Sequence, residues 1–329
     1  MAALDNPVLS VVVAIITDTT ERPDVSHLER CLAGLMRQSD APPTEIIVPY
    51  HPFVEGIPRL RERYPDVRFV EVTDLRTYTR RGGSREHYDE LRAKGFTLAR
   101  GRIVALIEDV GIPAPDWSAR LVKAQQGPFG GVGGAIENGI DRPLNWAVYF
   151  CDFLRYQNPL RGGESNICSD ANASYKRVAL ESIRPVWQEF FHEASVNGAL
   201  RSRGEKIALA PDVVLYQQRQ GLRMKEALKE RFVWGRSFGG TRARLAGTPR
   251  RVLWAVLSPL LPGLILTRMT LMAWKKRRTW AAFLKALPLT VALTLSWSWG
   301  ELVGYVTGRA NAEGAQAAEA IARASRAGS

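Results

Sequence analysis

The chain has 329 residues, 46% of them hydrophobic and 24% charged, a globular composition that excludes collagen-like and disordered classes and fits one large domain or two ordinary ones. Its formal net charge of +12 is uneven: residues 1–220 carry 27 Lys and Arg against 28 Asp and Glu, and residues 221–309 carry 16 against 3. The excess basicity lies beside the most apolar part of the chain, the pattern of an anionic membrane surface, so membrane lipids are an expected partner and nucleic acid is not.

In chain order, Val8 to Ile16 reads as a short, β-branched, buried first strand; no basic region precedes it, so it does not read as an export signal. Ser26-His27-Leu28-Glu29 has the form of a capping box. It opens a helix with Leu28, Cys31, Leu32, Leu35 and Met36 on one face, which makes Cys31 a core residue. The three cysteines include no Cys-x-x-Cys pair, which argues against a disulfide framework or a zinc ribbon. Glu45–Val48, Arg68–Val72 and Ile103–Ile107 read as strands, and Arg59–Tyr64 and residues 85–99 as helices. Strands alternating with helices predict a largely parallel sheet covered on both faces, with ligands beyond the carboxyl ends of its strands. The fifth apolar run ends there, in Glu108-Asp109. Gly130–Gly134 lacks the spacing of a dinucleotide or phosphate loop and reads as a strand whose glycines admit close backbone approach. The aromatic stretch from Asn145 to Tyr156 reads as core or as an acceptor wall.

Beyond residue 250, Val252–Trp274, interrupted by Pro259 and Pro262, and Trp280–Val306 are each near the ~20 residues of a bilayer crossing. Arg242, Arg244, Arg250 and Arg251 precede the first, and Lys275-Lys276-Arg277-Arg278 separates the two. The positive-inside rule places both flanks of the first segment, and the domain before it, on the cytoplasmic side of a cell membrane. Two spans and a non-spanning hairpin are both open. The expected organisation is an α/β domain over 1–220, a basic amphipathic segment over 221–250, two hydrophobic segments over 251–307 and an Ala-rich tail over 308–329.

Acids closing a buried strand need compensation, such as a cation, for which oxygen ligands suit Mg²⁺ or Mn²⁺, unless the strand end simply meets solvent. The run from Ala105 to Trp117, with Glu108-Asp109 and then Pro113-Ala114-Pro115-Asp116-Trp117, resembles the acidic metal motif of family 2 glycosyltransferases. Three further stretches agree with that family in order and spacing. Ser169-Asp170-Ala171-Asn172-Ala173-Ser174-Tyr175-Lys176-Arg177 resembles the segment lining the donor and acceptor site. Phe191-His192-Glu193, eleven residues before Gly204, resembles the pair supplying the general base. Trp299-Gly300-Glu301-Leu302-Val303-Gly304-Tyr305 resembles the closing membrane segment of a membrane-attached bacterial branch.

The resemblance implies a GT-A fold plus C-terminal membrane helices, and an inverting transfer of sugar from a nucleotide-sugar donor to a glycan or lipid-linked hydroxyl acceptor. By it, Glu193 is the base with Glu189 in reserve, Glu108 and Asp109 hold a divalent cation, and Asn172, Arg177, Trp117 and Arg231 join them in binding substrate. The sequence departs from the family in three places. Val48-Pro49-Tyr50-His51 carries no carboxylate where the nucleoside is usually held, so Tyr50 or His51 either stacks on the base or caps a strand. Val110 stands at the motif's third position, and Tyr216-Gln217-Gln218 stands where a histidine is common. These departures motivate an alternative: a non-catalytic, membrane-tethered binding protein of the same fold.

Overall fold

The computed structural model describes residues 6–16, 25–76 and 85–309. They form two compact units. One holds the described residues up to Glu137 together with Asn158–Gln218; the other holds Asn138–Gln157 and the described residues from Arg219 onward. The Ala-rich tail expected beyond residue 309 lies outside the described residues.

The first unit is a mixed α/β structure. Its elements are β1 (Leu9–Ala14), α1 (Ser26–Leu35), β2 (Thr44–Tyr50), α2 (Ile57–Arg63), β3 (Val67–Glu71), α3 (Arg85–Leu98), β4 (Ile103–Glu108), β5 (Gly111–Pro113), α4 (Trp117–Ala124) and β6 (Gly131–Asn138). In the second unit α5 (Pro143–Asp152) follows, and the first resumes with β7 (Gly163–Ser165), β8 (Asn172–Lys176), α6 (Arg177–Ser182), α7 (Arg184–Trp187), α8 (Glu193–Ser202) and β9 (Ile207–Gln217). The nine strands make one sheet in the order β3-β2-β1-β4-β8-β6-β9-β5, with β7 paired to β9.

The expected parallel arrangement holds for β3-β2-β1-β4. Beyond β4 it gives way: β8 runs antiparallel to both β4 and β6, and β9 antiparallel to β5 and β7. Strand β1, Leu-Ser-Val-Val-Val-Ala, is buried throughout because both faces of the sheet are covered. Its alternate side chains feed two cores: Val11 and Val13 pack with Leu28, Leu32 and Trp117, while Val12 and Ala14 pack with Phe96, Tyr175 and Phe191.

Helix α1 buries Leu28, Cys31, Leu32 and Leu35 as its periodicity requires. The expected capping box does not form. Val25 is the N-cap residue, Ser26 is already helical, and Glu29 turns outward to pair with Arg59 at 2.9 Å and with Arg63. An acid in the first turn is favoured by the helix dipole without reaching back to the cap.

The second unit is helical: α5, then α9 (Met224–Leu245), α10 (Thr248–Leu257), α11 (Leu261–Lys276) and α12 (Trp280–Thr307). The α5 aromatics take the core role, with Tyr149 and Phe150 buried and the Phe150 ring 5.2 Å from that of Phe283. Pro259 and Pro262 do not turn the chain back. A short 3-10 turn at Ser258–Leu260 joins α10 to α11, and both prolines sit at N-terminal positions of their turns, where no backbone donor is lost. Two helices, Thr248–Lys276 and Trp280–Thr307, are long and apolar enough to cross a membrane.

Candidate active site

The sheet order brings chemistry to one end of β4. Ala14, the last residue of β1, lies opposite Glu108, the last of β4. Because β8 is antiparallel, its first residue, Asn172, pairs with Ile107, so the Asp170 segment arrives at the carboxyl end of β4. The β5–β9 ladder puts Gln217 opposite Gly111. Helix α8 starts at Glu193, and the segment before it is tied to α3 through Phe191 N–H to the Asp89 carbonyl at 2.9 Å.

At the centre lies Arg92 of α3, 4% exposed. Its Nη1 donates to Asp89 Oδ1 at 2.9 Å and lies 2.6 Å from Asp170 Oδ2, and its Nη2 donates to Glu108 Oε1 at 3.1 Å. Glu108 Oε2 accepts from Gln217 Nε2 at 3.2 Å. Glu193 Oε2 accepts the Asp170 N–H at 3.3 Å. Asp109 is fully buried. Its Oδ1 accepts the Ile16 N–H at 3.0 Å, and the Ile16 carbonyl accepts Tyr88 O–H at 2.8 Å, so Asp109 holds the chain leaving β1.

Several carboxylates around one guanidinium cannot all ionise freely. Burial, and then the Asp170 charge, push the Glu193 carboxyl up to about 8. Burial and Asp170 likewise push Glu108 up to about 7, against the pull of Arg92. Burial works against the charge on Arg92, but Asp170, Asp89 and Glu108 overcome it and raise its pKa.

The other expected site residues fall elsewhere. Trp117 and Asn172 are both fully buried and bonded to each other, Nε1–H to Oδ1 at 2.9 Å, so they brace the site from beneath instead of lining it. The Asn172 amide also donates to the carbonyls of Ala135 and Val213 at 2.9 and 3.0 Å. Those carbonyls come close because Gly134 has no side chain: a Cβ there would lie 2.2 Å from Asn172 Nδ2. Arg177 is exposed and starts α6, its N–H bonded to the Arg102 carbonyl at the opposite end of β4. Arg231 belongs to the second unit, where its guanidinium meets the Asp152 carboxylate and stacks over Trp234 at 5.2 Å. Glu189 is half exposed and pairs with Arg76 at 3.3 Å. Tyr50 is buried and donates to Glu71 Oε2 at 3.2 Å, and His51 is buried with its ring 4.8 Å from that of Phe53.

Arg92 and Asp89 were not singled out from the sequence, and Asp170 and Gln217 entered only within longer stretches. The available signal was the density of polar groups in α3, where His87, Asp89, Glu90 and Arg92 stand within six residues; the structure buries all four.

The residues do not fit the expected divalent cation as they are placed. Both Glu108 oxygens and one Asp109 oxygen already accept hydrogen bonds, and a guanidinium stands between the carboxylates where a cation would sit. Among the described residues no three His, Cys, Asp or Glu side chains are grouped to hold a metal ion.

No family model matches the chain, and no curated protein matches it. Among solved structures it is similar to the mannosyltransferase PcManGT from Pyrobaculum calidifontis, in complex with GDP-Man and Mn²⁺. That likeness has 17% identity over 93% of this chain and 86% of the other, with a TM-score of 0.47.

Proposed function

We propose that the first unit is an inverting GT-A glycosyltransferase, working at the cytoplasmic face of a membrane. It moves a sugar from a nucleotide-diphosphate donor to a hydroxyl of a lipid-linked or cell-surface glycan precursor. The observation carrying this reading is the grouping of Glu108, Asp170 and Glu193 around Arg92: three stretches distant in the chain, each resembling a family motif, meet at the carboxyl end of β4.

In this reading Glu193 accepts the proton of the acceptor hydroxyl as that oxygen attacks the anomeric carbon. The bond from that carbon to the diphosphate oxygen breaks, the nucleoside diphosphate leaves with the electron pair, and configuration inverts. A half-buried glutamate whose carboxyl is pushed up to about 8 is a stronger base than an ordinary one. Arg92 supplies the positive charge between the carboxylates.

One observation favours a second reading, a sugar-nucleotide binding protein without turnover: both oxygens of Glu108 are engaged within the protein. One experiment separates the two. Purified full-length protein is titrated with UDP and GDP by calorimetry and assayed for hydrolysis of a panel of UDP- and GDP-sugars. Binding with turnover, and a loss of ~10²–10⁴-fold in kcat in Glu193→Gln with nucleotide affinity kept, is the expected result. Binding without turnover selects the second reading, and no binding of any nucleotide overturns both.

A further inference from the structure

The two long apolar helices carry a neighbour that a bilayer crossing does not permit. Helix α9 runs parallel to the second half of α12 with their backbones in contact. A Cβ on Gly300 would lie 2.1 Å from the Phe232 carbonyl oxygen, and one on Gly304 would lie 2.4 Å from that of Arg236. Reciprocally, a Cβ on Gly235 would lie 2.1 Å from the Trp297 carbonyl oxygen. Small residues four apart on both helices let them approach this closely. Ser296 Oγ donates to the Leu228 carbonyl at 2.7 Å, and Arg242 donates to Tyr305 Oη at 3.0 Å, so the contact extends over more than two turns.

Helix α9 is rich in charge: Lys225, Glu226, Lys229, Glu230, Arg236 and Arg244 lie along it beside the buried Arg231. The first half of α12 is held in turn by α5, with Phe150 against Phe283, and the Gln157 side chain accepts from Thr279 at 3.0 Å. Between these grips α12 keeps a covered face as well, with Ala286, Thr290, Leu293 and Thr294 buried, so no length of it near the ~30 Å of a hydrocarbon core stands clear of its neighbours. Drawing α12 through a bilayer would therefore carry α5 or α9 into hydrocarbon with it, at ~2.5–3.5 kcal/mol for each charged residue near the centre.

The outer surface is nonetheless largely apolar, interrupted by the exposed Arg268 and Lys285, whose long stems let their charges reach the headgroups. Leu284, Leu295, Trp299 and Val306 are 48–62% exposed along one stripe of α12. Leu253, Leu257, Leu264 and Leu271 are 44–56% exposed along one stripe of α10–α11, opposite the buried Pro262, Met269 and Ala273. The two helices are antiparallel: Arg251 binds the Tyr305 carbonyl at one end, and the Trp274 and Trp280 rings meet at 5.2 Å at the other. Both ends are basic, with Arg244, Arg250 and Arg251 at the first and Lys275, Arg277 and Arg278 at the second. Spanning would strand one of these clusters on the far side of the membrane.

We propose that the hairpin is an in-plane membrane anchor: α10–α11 and α12 press their outer apolar stripes into one leaflet, both basic ends rest on its anionic headgroups, and α9 stays on the water side. The anchor does not depend on the activity proposed above.

The test uses full-length protein with Cys151→Ser and either Arg250→Cys or Arg278→Cys, both exposed positions at opposite ends of the hairpin. A membrane-impermeant maleimide is applied to spheroplasts and to inverted vesicles of expressing bacteria. Labelling of both cysteines from the same side of the membrane is expected. Labelling from opposite sides, or of either site only after detergent, overturns the proposal. Purified protein should also bind POPC/POPG vesicles several-fold better than POPC vesicles, and salt should weaken the difference. Equal binding to both overturns the role given to the basic ends.

Discussion

Asn172→Ala tests whether this residue braces the site or lines it. The native side chain is fully buried and saturated: Oδ1 accepts Trp117 Nε1–H at 2.9 Å, and Nδ2 donates to the Ala135 and Val213 carbonyls at 2.9 and 3.0 Å. Truncation leaves an indole N–H and two carbonyls without this partner in a dry interior. A buried donor left unpaired costs ~1–3 kcal/mol, and the carbonyls cost less because each keeps a second lone pair, so the sum is ~3–5 kcal/mol. That is a large share of the ~5–15 kcal/mol of an ordinary domain. Asn172→Asp sharpens the test, because it keeps the acceptor for Trp117 but sets a carboxylate oxygen against two carbonyl oxygens. It should be at least as destabilising. Urea unfolding followed by near-UV circular dichroism reads both variants. A loss below ~1 kcal/mol in Asn172→Ala, together with a raised KM for donor, would refute the bracing role and return Asn172 to the substrate pocket.

Three further outcomes follow from the geometry. The Glu193 carboxyl is raised from its ordinary 4.5 to about 8, so its contribution to stability is complete below about 4.5 and is lost as pH rises through about 8. Thermal melts should therefore show wild type losing stability across that window and Glu193→Gln losing less; parallel pH profiles would contradict the cluster's electrostatics. Arg92→Gln removes the cation shared by Asp89, Glu108 and Asp170, costing ~3–5 kcal/mol. Mn²⁺ should restore part of the variant's Tm while leaving wild type unchanged, and an equal response in both would show that the guanidinium does not stand in a cation's place. Gly300→Ala should cost ~1–3 kcal/mol, because its Cβ would meet the Phe232 carbonyl, whereas Gly263→Ala, with nothing within 4 Å, should be neutral or gain ~0.5–1 kcal/mol of helix propensity. Melts of the two in detergent that cannot be told apart would refute the close α9–α12 packing.

The parts of this fold visible in sequence were those governed by local pattern. The β1 run, and the β4 run as far as Ile107, are apolar or small because they are buried on both faces, and the spacing of Leu28, Leu32 and Leu35 marks the inner face of α1. Gly131–Gly134 likewise reads as strand because only glycine admits the Asn172 amide and the Cys168 side chain so closely. What local pattern does not carry is pairing between distant charges. Arg92 and Glu108 are 16 residues apart, and Asp170 lies far beyond both; nothing in the spacing of α3 indicates which carboxylates its arginine will meet. Gly235 and Gly239, and Gly300 and Gly304, stand four apart in the chain, but a pair of small residues names no partner until the facing helix is known.

Strand direction decides where the residues of one nine-residue stretch, Ser169–Arg177, are delivered. Had β8 run parallel to β4, the chain entering it would have come to the amino end of β4 and the chain leaving it to the carboxyl end. Arg177 would then have stood near Glu108 and Asp170 about five residues of strand away, ~17 Å at 3.3 Å per residue. The observed register, Ile107 against Asn172 and Ile103 against Lys176, reverses this. It delivers Asp170 to Arg92 and sends Arg177 to the Arg102 carbonyl at the far end. Asn172 and Trp117, both fully buried, are bonded to each other and fasten the start of β8 to α4. Which residues of the stretch reach the Arg92 cluster is therefore fixed by one topological choice, and β6 accommodates it at Gly133 and Gly134, where a Cβ would meet the Cys168 and Asn172 side chains.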